Sequence, residues 1–478
     1  MEKNENNKPR VRRTKSVSVA QVDGETRKEH RLRAIQPDKP VHLCRDSLLS
    51  SSSGYTNYRG FLNLCIILLV LSNARLVLEN IIKYGILIDP IQWFKVFVLN
   101  PTHSPSVLIL LGLLVIPSIS LGIEKLLAKG IISENFGLFC IIILVTAEVL
   151  CPPVVVYSTD CHADRLSCVV AASIVMGYVS IVFLKLISYH MVNYWCRTNH
   201  SDPYRRLRRR SVSSERQRHR DDQSIGNNVH GPELVTYPNN LNFKDIYYFL
   251  FAPTLCYELN FPRSSRIRKR FLIKRVLEMI FLIQLILCLI QQWIVPTINN
   301  SLKPLEEMDY SRMLERLLKL AIPNHFIWLL FFYWYFHSSL NAVAEILRFG
   351  DRYFYNDWWN SENVQYFWRN WNIPVHQWCV RHLYIPLRNW GYSKQFASTA
   401  VFLLSAFFHE YLVSVPLKMF RAWAFLGMLG QLPFSRFVEK YLHNQYGNMA
   451  VWISLIIGQP LCILMYYHDY YVLHYQKA

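Results

Sequence analysis

His409 and Glu410 sit side by side inside FASTAVFLLSAFFHEYLVSVPL, residues 396–417. That stretch is long and apolar enough to read as a membrane helix. A full charge at membrane depth costs roughly 2.5 kcal/mol or more unless it meets a partner or a wet cavity. A histidine placed there is first of all a candidate functional group. The plainer alternative is a hydrogen-bonded histidine packed between helices. An imidazole has an ordinary pKa near ~6.5 and can take a proton from a hydroxyl, the first step of ester formation. Glu410 could orient that imidazole or polarise the path of an acceptor. Neighbouring helix positions point about 100° apart, so adjacency alone does not give contact. His337, Asn341 and Glu345 form a second polar set, spaced i, i+4, i+8 on an apolar helix. Such a stripe should face inward, either as packing glue or as the lining of a substrate path.

The elements that must hold these groups are membrane helices. Runs near 62–72, 107–118, 137–157, 168–187, 277–294, 317–344, 396–417, 423–438 and 450–467 are mostly free of charge. With about 20 apolar residues per crossing, this predicts an all-α polytopic membrane protein of about nine transmembrane helices. The 14% aromatic content suits many membrane–water boundaries. Arg75 and Glu79, one turn apart in the first run, can neutralise each other. Glu148 and Lys185 fall in later runs, as internal partners or at boundaries.

Net charge is +19 and is concentrated in the first 59 residues and in 191–275. Both segments should face the cytosol, and four spans between them make the two placements agree. Anionic lipid or simple orientation explains the basic blocks better than nucleic acid. Residues 1–57 read as a disordered basic tail, and 58–478 as one membrane domain. Two large cytosolic loops, 191–275 and 349–395, interrupt that domain. Ser16, Ser18, Ser211 and Ser213 follow arginines as a basophilic kinase would require, although a solvated charge run is the plainer reading. Arg263–Arg270 forms a cationic edge that suits a phosphate-bearing ligand or lipid headgroups equally. The eleven cysteines form no CxxC pair and no Cys/His ligand cluster, so no metal site is expected.

The 349–395 loop is unusual. Trp358, Trp359, Trp368, Trp371 and Trp378 crowd one short cytosolic stretch. They suit a segment partly sunk in the membrane surface. Val375, Trp378, Cys379 and Leu383 have helical spacing, with Gln377 and Arg381 on another face. This predicts an interfacial amphipathic helix begun near Pro374.

Within that loop FYNDWWN (354–360) resembles the FYxDWWN signature of the sterol and diacylglycerol branch of the membrane-bound O-acyltransferases. SAFFHEY (405–411) resembles the buried-histidine segment of the same family. NWNIPVHQWCVRHLYIP (370–386), YYFLFAPTLCYELNFPR (247–263), HEYLVSVPL (409–417), IIGQP (456–460) and YYHDYYVLHY (466–475) are closer to the type 1 diacylglycerol acyltransferases than to the sterol enzymes. The resemblance covers about residues 55–475.

It implies nine transmembrane helices around an intramembrane reaction chamber. It further implies an endoplasmic-reticulum enzyme that moves an acyl group from fatty acyl-CoA to 1,2-diacylglycerol. The implied state is a homodimer or homotetramer assembled through N-terminal segments. Acyl-CoA is a co-substrate, and no cofactor is expected. By residue match, His409 is the catalytic histidine. The acyl-CoA segment falls on Trp368, Arg369, Asn370, Trp371, Asn372, Ile373, Pro374, Val375 and His376. Tyr384, Lys394, Ser398 and Ser405 complete it, with Tyr384 and Lys394 near the nucleotide end. The signature residues are Phe354, Tyr355, Asp357, Trp358, Trp359 and Asn360. His337, Asn341 and Gln431 would line an acceptor path. Ser398 stands where mammalian members carry a cation, leaving Arg381 or Arg388 to compensate.

The chemistry of the residues agrees with this family. Attack on a thioester needs a donor for the oxyanion, and the neutral amides of Asn372 and Gln459 could supply one. Structural hydrogen bonding is their plainer role. Asp357 and Asn360 could simply cap and stiffen the loop. No Cys or Ser sits in a clear nucleophile setting, so transfer should be direct, without an acyl-enzyme. Water must be kept out, because thioester hydrolysis competes. A sterol, retinol or wax-alcohol acyltransferase is the nearest alternative on the same fold. A non-catalytic transporter is the distant one, and no internal repeat supports it.

Overall fold

The computed structural model describes residues 59–87, 105–158, 165–201, 234–301, 304 and 309–474. The 1–57 tail, with Ser16 and Ser18, and Ser211 and Ser213 in the first large loop lie outside the described residues. Two compact units divide the chain, one up to Leu78 and one from Glu79 onward. Helix α1, Arg59–Tyr84, contributes to both.

Among the described residues the regular structure of the second unit is helical, apart from one isolated antiparallel bridge between Arg263 and Phe349. Helices α2 (Pro105–Ala128), α3 (Glu134–Ser158) and α4 (Arg165–Ser201) pack on one another. Their shared core holds Leu113, Val149, Met176, Val179 and Leu186, closed by Tyr411 and Val415. A short helix α5, Phe243–Phe251, lies against α2 and α4. Lys185 on α4 is 4% exposed and donates to the Phe249 and Ala252 carbonyls, 2.7 Å each. Those two bonds satisfy carbonyls at the open end of α5, which explains how a lysine is accommodated there.

Helix α6, Lys269–Leu289, continues through a π-helical turn (Ile290–Ile294) into Val295–Asn299. Helix α7 does the same: Tyr310–Phe332, a π-helical stretch at Tyr333–Ser339, then Leu340–Ile346. The upper part of α7 packs on α12, and its π-helical and final parts pack on α6. After the loop come α8 (Val364–Asn370), α9 (Ile373–Cys379, extended by a π turn and Ile385–Asn389) and α10 (Lys394–Ser414). Helices α11 (Trp423–Tyr441) and α12 (Gln445–His474) complete the unit, α11 packing broadly on α10.

The sequence sets these starts locally. Asn242, Asp309, Asn363, Asn372 and Ser393 each cap a helix, accepting a hydrogen bond from the backbone amide three residues on.

Six helices among the described residues are long and apolar enough to cross a membrane: Ser106–Ala128, Glu134–Ser158, Val169–Thr198, Tyr310–Ile346, Lys394–Ser414 and Gln445–Leu473. The expected nine is therefore not reached by length and composition. The other three apolar runs also form helices, α1, α6 and α11; Lys274, Arg275 and Glu278 interrupt α6, and Arg436, Glu439 and Lys440 crowd the last turns of α11.

Candidate active site

His409 lies on α10, and its Nδ1 is 2.7 Å from the Ser405 carbonyl one turn earlier. A carbonyl only accepts, so Nδ1 carries the proton and Nε2 keeps its lone pair. The Ser405 hydroxyl is 3.5 Å from the same Nδ1. Trp368 meets the imidazole edge to face, with ring centres 6.3 Å apart. Its indole N–H is buried and has no hydrogen-bond partner among the described residues.

From Trp368 a continuous array of rings runs away from His409. Trp368 touches Trp371 at 5.9 Å, Trp371 touches Trp328 at 6.3 Å, and Trp328 stacks on His325 at 5.4 Å. Trp358 and Trp452 close the far end around Trp328 and His325. The two nitrogens of His325 and Nε1 of Trp358 are buried without partners among the described residues. Sequence reading did not single out His325, Trp328 or Trp452. Nothing in their local spacing separates them from ordinary helix packing.

The signature and the 368–376 segment form one folded piece. Ile373 N donates to the Phe354 carbonyl (3.0 Å), and Asn356 N donates to the Asn370 carbonyl (2.8 Å). Tyr355 hydroxyl and His337 Nδ1 are 2.8 Å apart, so the loop is tied to α7. Asp357 accepts from the Tyr366 hydroxyl at 2.7 Å. That bond, with one from Asn360, holds its carboxyl below the usual carboxylate range. Trp358 is buried, whereas Trp359 is exposed and its carbonyl accepts from Asn448 at 3.1 Å. Asp357 does not cap the short turn at Trp358–Asn360 with its side chain.

Around this piece the other candidate groups take separate stations. Asn372 Oδ1 caps α9, accepting from Val375 N at 3.2 Å. Gln459 Oε1 accepts from Asn324 Nδ2 at 3.3 Å, joining α12 to α7. Asn370 is buried and bonded to Tyr366 and Asn356, Ile373 is buried, and Arg369 and Val375 are exposed. Trp371, Pro374, His376 and Tyr384 are half-buried. Burial, with the Arg369 charge nearby, keeps the His376 imidazole below its ordinary pKa. Lys394 and Ser398 share the exposed first turns of α10. The two arginines considered as substitutes for the missing cation are occupied. Arg381 donates to the Tyr257 carbonyl at 3.0 Å and lies over Trp195, and Arg388 donates to the Tyr392 carbonyl at 2.5 Å.

The stripe on α7 is split rather than shared. His337 meets Tyr355, Asn341 donates to the His337 carbonyl, and Glu345 pairs with Arg268 and Arg352. The intervening π-helical stretch breaks the regular spacing on which a single face depends. Gln431 is half-buried on α11.

Glu410 is 6% exposed and points away from His409. Its carboxylate accepts from Ser414, from Ala422 N (3.0 Å), from Phe425 N (3.1 Å) and from the Tyr466 hydroxyl (2.6 Å). Four donors from three stretches of chain fix the turn that begins α11, where a negative charge also suits a helix N-terminus. An apolar groove of about 220 Å³ lies between α3, α4 and α10, lined by Val149, Phe183, Leu404, Phe407 and Phe408. Helical rotation turns it away from the His409 face.

The membrane-bound O-acyltransferase family model matches residues 168–468. Diacylglycerol O-acyltransferase 1 of Homo sapiens is 54% identical over 435 residues, covering 91% of this chain and 85% of that protein. Its namesake from Bos taurus is also 54% identical, over 91% of this chain and 86% of its own length. Diacylglycerol O-acyltransferase 1-2 of Oryza sativa subsp. japonica is 38% identical, over 92% of this chain and 87% of its own. A chain with an imidazole poised in an apolar crossing helix, a signature loop zipped to a tryptophan-rich segment and this extent of identity belongs to the membrane-bound O-acyltransferase family.

Proposed function

We propose that this chain transfers a fatty acyl group from acyl-CoA to the free hydroxyl of 1,2-diacylglycerol, giving triacylglycerol and CoA. The observation that carries the reading is His409: Nδ1 is tied to the Ser405 carbonyl, and Nε2 is left with its lone pair. Identity to relatives named for this acceptor supports the choice of substrate.

Nε2 takes the proton of the acceptor hydroxyl as its oxygen attacks the thioester carbonyl. Asn372 and Gln459 offer amide N–H groups to the oxyanion, their oxygens being held by Val375 N and Asn324. Collapse releases the CoA thiolate, which takes the proton back from the imidazolium. Transfer is direct. The Ser405 hydroxyl approaches only Nδ1, which already holds a proton and cannot receive another. Glu410 acts by position, holding the start of α11 against α10 and α12. The acyl-CoA enters along Trp368–His376, with Tyr384 and Lys394 toward the nucleotide. The acceptor arrives from the bilayer past His337, Asn341 and Gln431. We place the enzyme in the endoplasmic-reticulum membrane, its N-terminus cytosolic, as a homodimer or homotetramer.

The test is a purified-protein assay with one labelled acyl-CoA and a panel of diacylglycerol, sterol, retinol and wax alcohol. Triacylglycerol should be the main product and should vanish in a folded His409→Ala variant. Ester on sterol alone, or full activity without His409, overturns the reading.

A further inference from the structure

Residues 262–268 form a strap laced to the end of α7. Gly350 N donates to the Pro262 carbonyl (2.8 Å), and Ser264 N donates to the Arg348 carbonyl (2.9 Å). Arg348 returns two bonds to the carbonyls of Ser264 and Ser265. A Cβ at position 350 would stand 3.1 Å from the Pro262 carbonyl, a tight contact that would press the two segments apart by a few tenths of an ångström.

Glu345 is fully buried at the end of α7. It accepts from Arg268 N (2.5 Å) and from the guanidiniums of Arg268 (2.9 Å) and Arg352 (2.5 Å). Glu278 is likewise taken by Arg275 and Ser338. The nearby acids are therefore spent on Arg268, Arg352 and Arg275.

Beyond them stands a surplus of positive charge. Arg266, Lys269 and Arg270 are exposed and have no acidic partner among the described residues. With Arg268 and Ile267 they line a hollow of about 300 Å³. Ile267 and Ile273 are exposed beside it, 42% and 59%. Uncompensated guanidiniums around a hollow suit phosphate oxygens, which they grip by paired N–H donors. Exposed isoleucines next to them, on a chain with six apolar crossing helices, suit acyl chains.

We propose that this hollow binds the headgroup phosphate of an anionic glycerophospholipid. The lipid would sit on a strap fastened through Glu345 and Gly350 to the chain leading into the 354–360 signature.

The test uses the full chain in detergent, with binding of dioctanoyl-phosphatidylserine followed by native mass spectrometry and phosphatidylcholine as the control lipid. Native protein should retain the anionic lipid in preference. R266Q/K269Q/R270Q should weaken that binding by roughly 100-fold, about fivefold for each charge removed. R266K/R270K keeps the charge but loses the fork, and should fall in between. R312Q/R316Q/K319Q, at the other end of α7, should bind as native protein does. Equal binding by the first and last variants overturns the site. So does displacement of the lipid by free CoA, which would assign the hollow to the acyl donor. Melting curves confirm that each variant is folded.

Discussion

Glu410 and Tyr466, 56 positions apart, meet through a 2.6 Å hydrogen bond from phenol to carboxylate inside the helical bundle. The same carboxylate receives two backbone amides at the start of α11. Removing the phenol oxygen leaves the other donors in place. Tyr466→Phe should therefore lower stability by about 2 kcal/mol, as for a hydrogen bond to a charged group. It should leave turnover at low temperature near normal. Melting in detergent beside initial rates checks this. A rate collapse with an unchanged melting temperature would instead put Glu410 in the chemistry.

His409 is held by the Ser405 main chain rather than its side chain. Ser405→Ala should keep turnover within about tenfold of native. His409→Ala should lose 10²-fold or more, the usual contribution of a general base being about 10²–10⁴. Single-turnover rates with saturating acyl-CoA separate the two. Equal losses would point to the hydroxyl of Ser405.

Asn372 has one demonstrable job, capping α9, and one proposed job, steadying an oxyanion. Serine can do only the first. Asn372→Ser should hold stability, whereas Asn372→Ala should lose about 1 kcal/mol. Both should lose turnover, if the amide N–H serves the reaction. Recovery of full activity in the serine variant would leave capping as its whole role.

His382 is stacked on Trp195, with Nε2 2.8 Å from the Ser188 hydroxyl. Burial, and then the Arg381 charge, push its pKa down to about 3. The unfolded imidazole takes a proton near ~6.5. As pH falls the unfolded chain therefore gains the proton first. The contribution is whole above ~6.5 and is lost progressively down toward 3. Between pH ~6.5 and ~5.5 the loss should be about 1 kcal/mol. His382→Gln should flatten that part of the stability profile relative to native protein. Identical slopes would show that His382 does not titrate this way.

The long helices were largely legible in the sequence, their starts much less so. Apolar runs marked the long helices and Pro374 the start of α9, whereas the caps at Asn242, Asp309, Asn363 and Ser393 emerged only from the structure. The candidate site was legible in part. His409 stands out because an ionisable group in an apolar run is costly wherever it lies. The partners of Glu410 do not stand out, because Ala422 N and Phe425 N are backbone groups and Tyr466 comes from the last helix. His325 and Trp452 are hidden for the same reason: only packing of α7 on α12 brings them together. The stripe on α7 does face inward, with Asn341 and Glu345 buried, but its separate partners, Tyr355 for His337 and Arg268 for Glu345, come from other segments and cannot be read from spacing.

The π-helical stretch at Tyr333–Ser339 has a mechanical meaning. It acts as a crank in a long rod. Above it, His325 packs on Trp328 and Trp452; within it, Ser338 meets Glu278, and below it Glu345 meets Arg268. Deleting one residue within the crank would let the rod rewind as plain α-helix. Everything beyond would turn by about 100°. The ionic clasp at Glu345 and the Tyr355 tether at His337 would then disengage together, although every side chain that makes them would still be present.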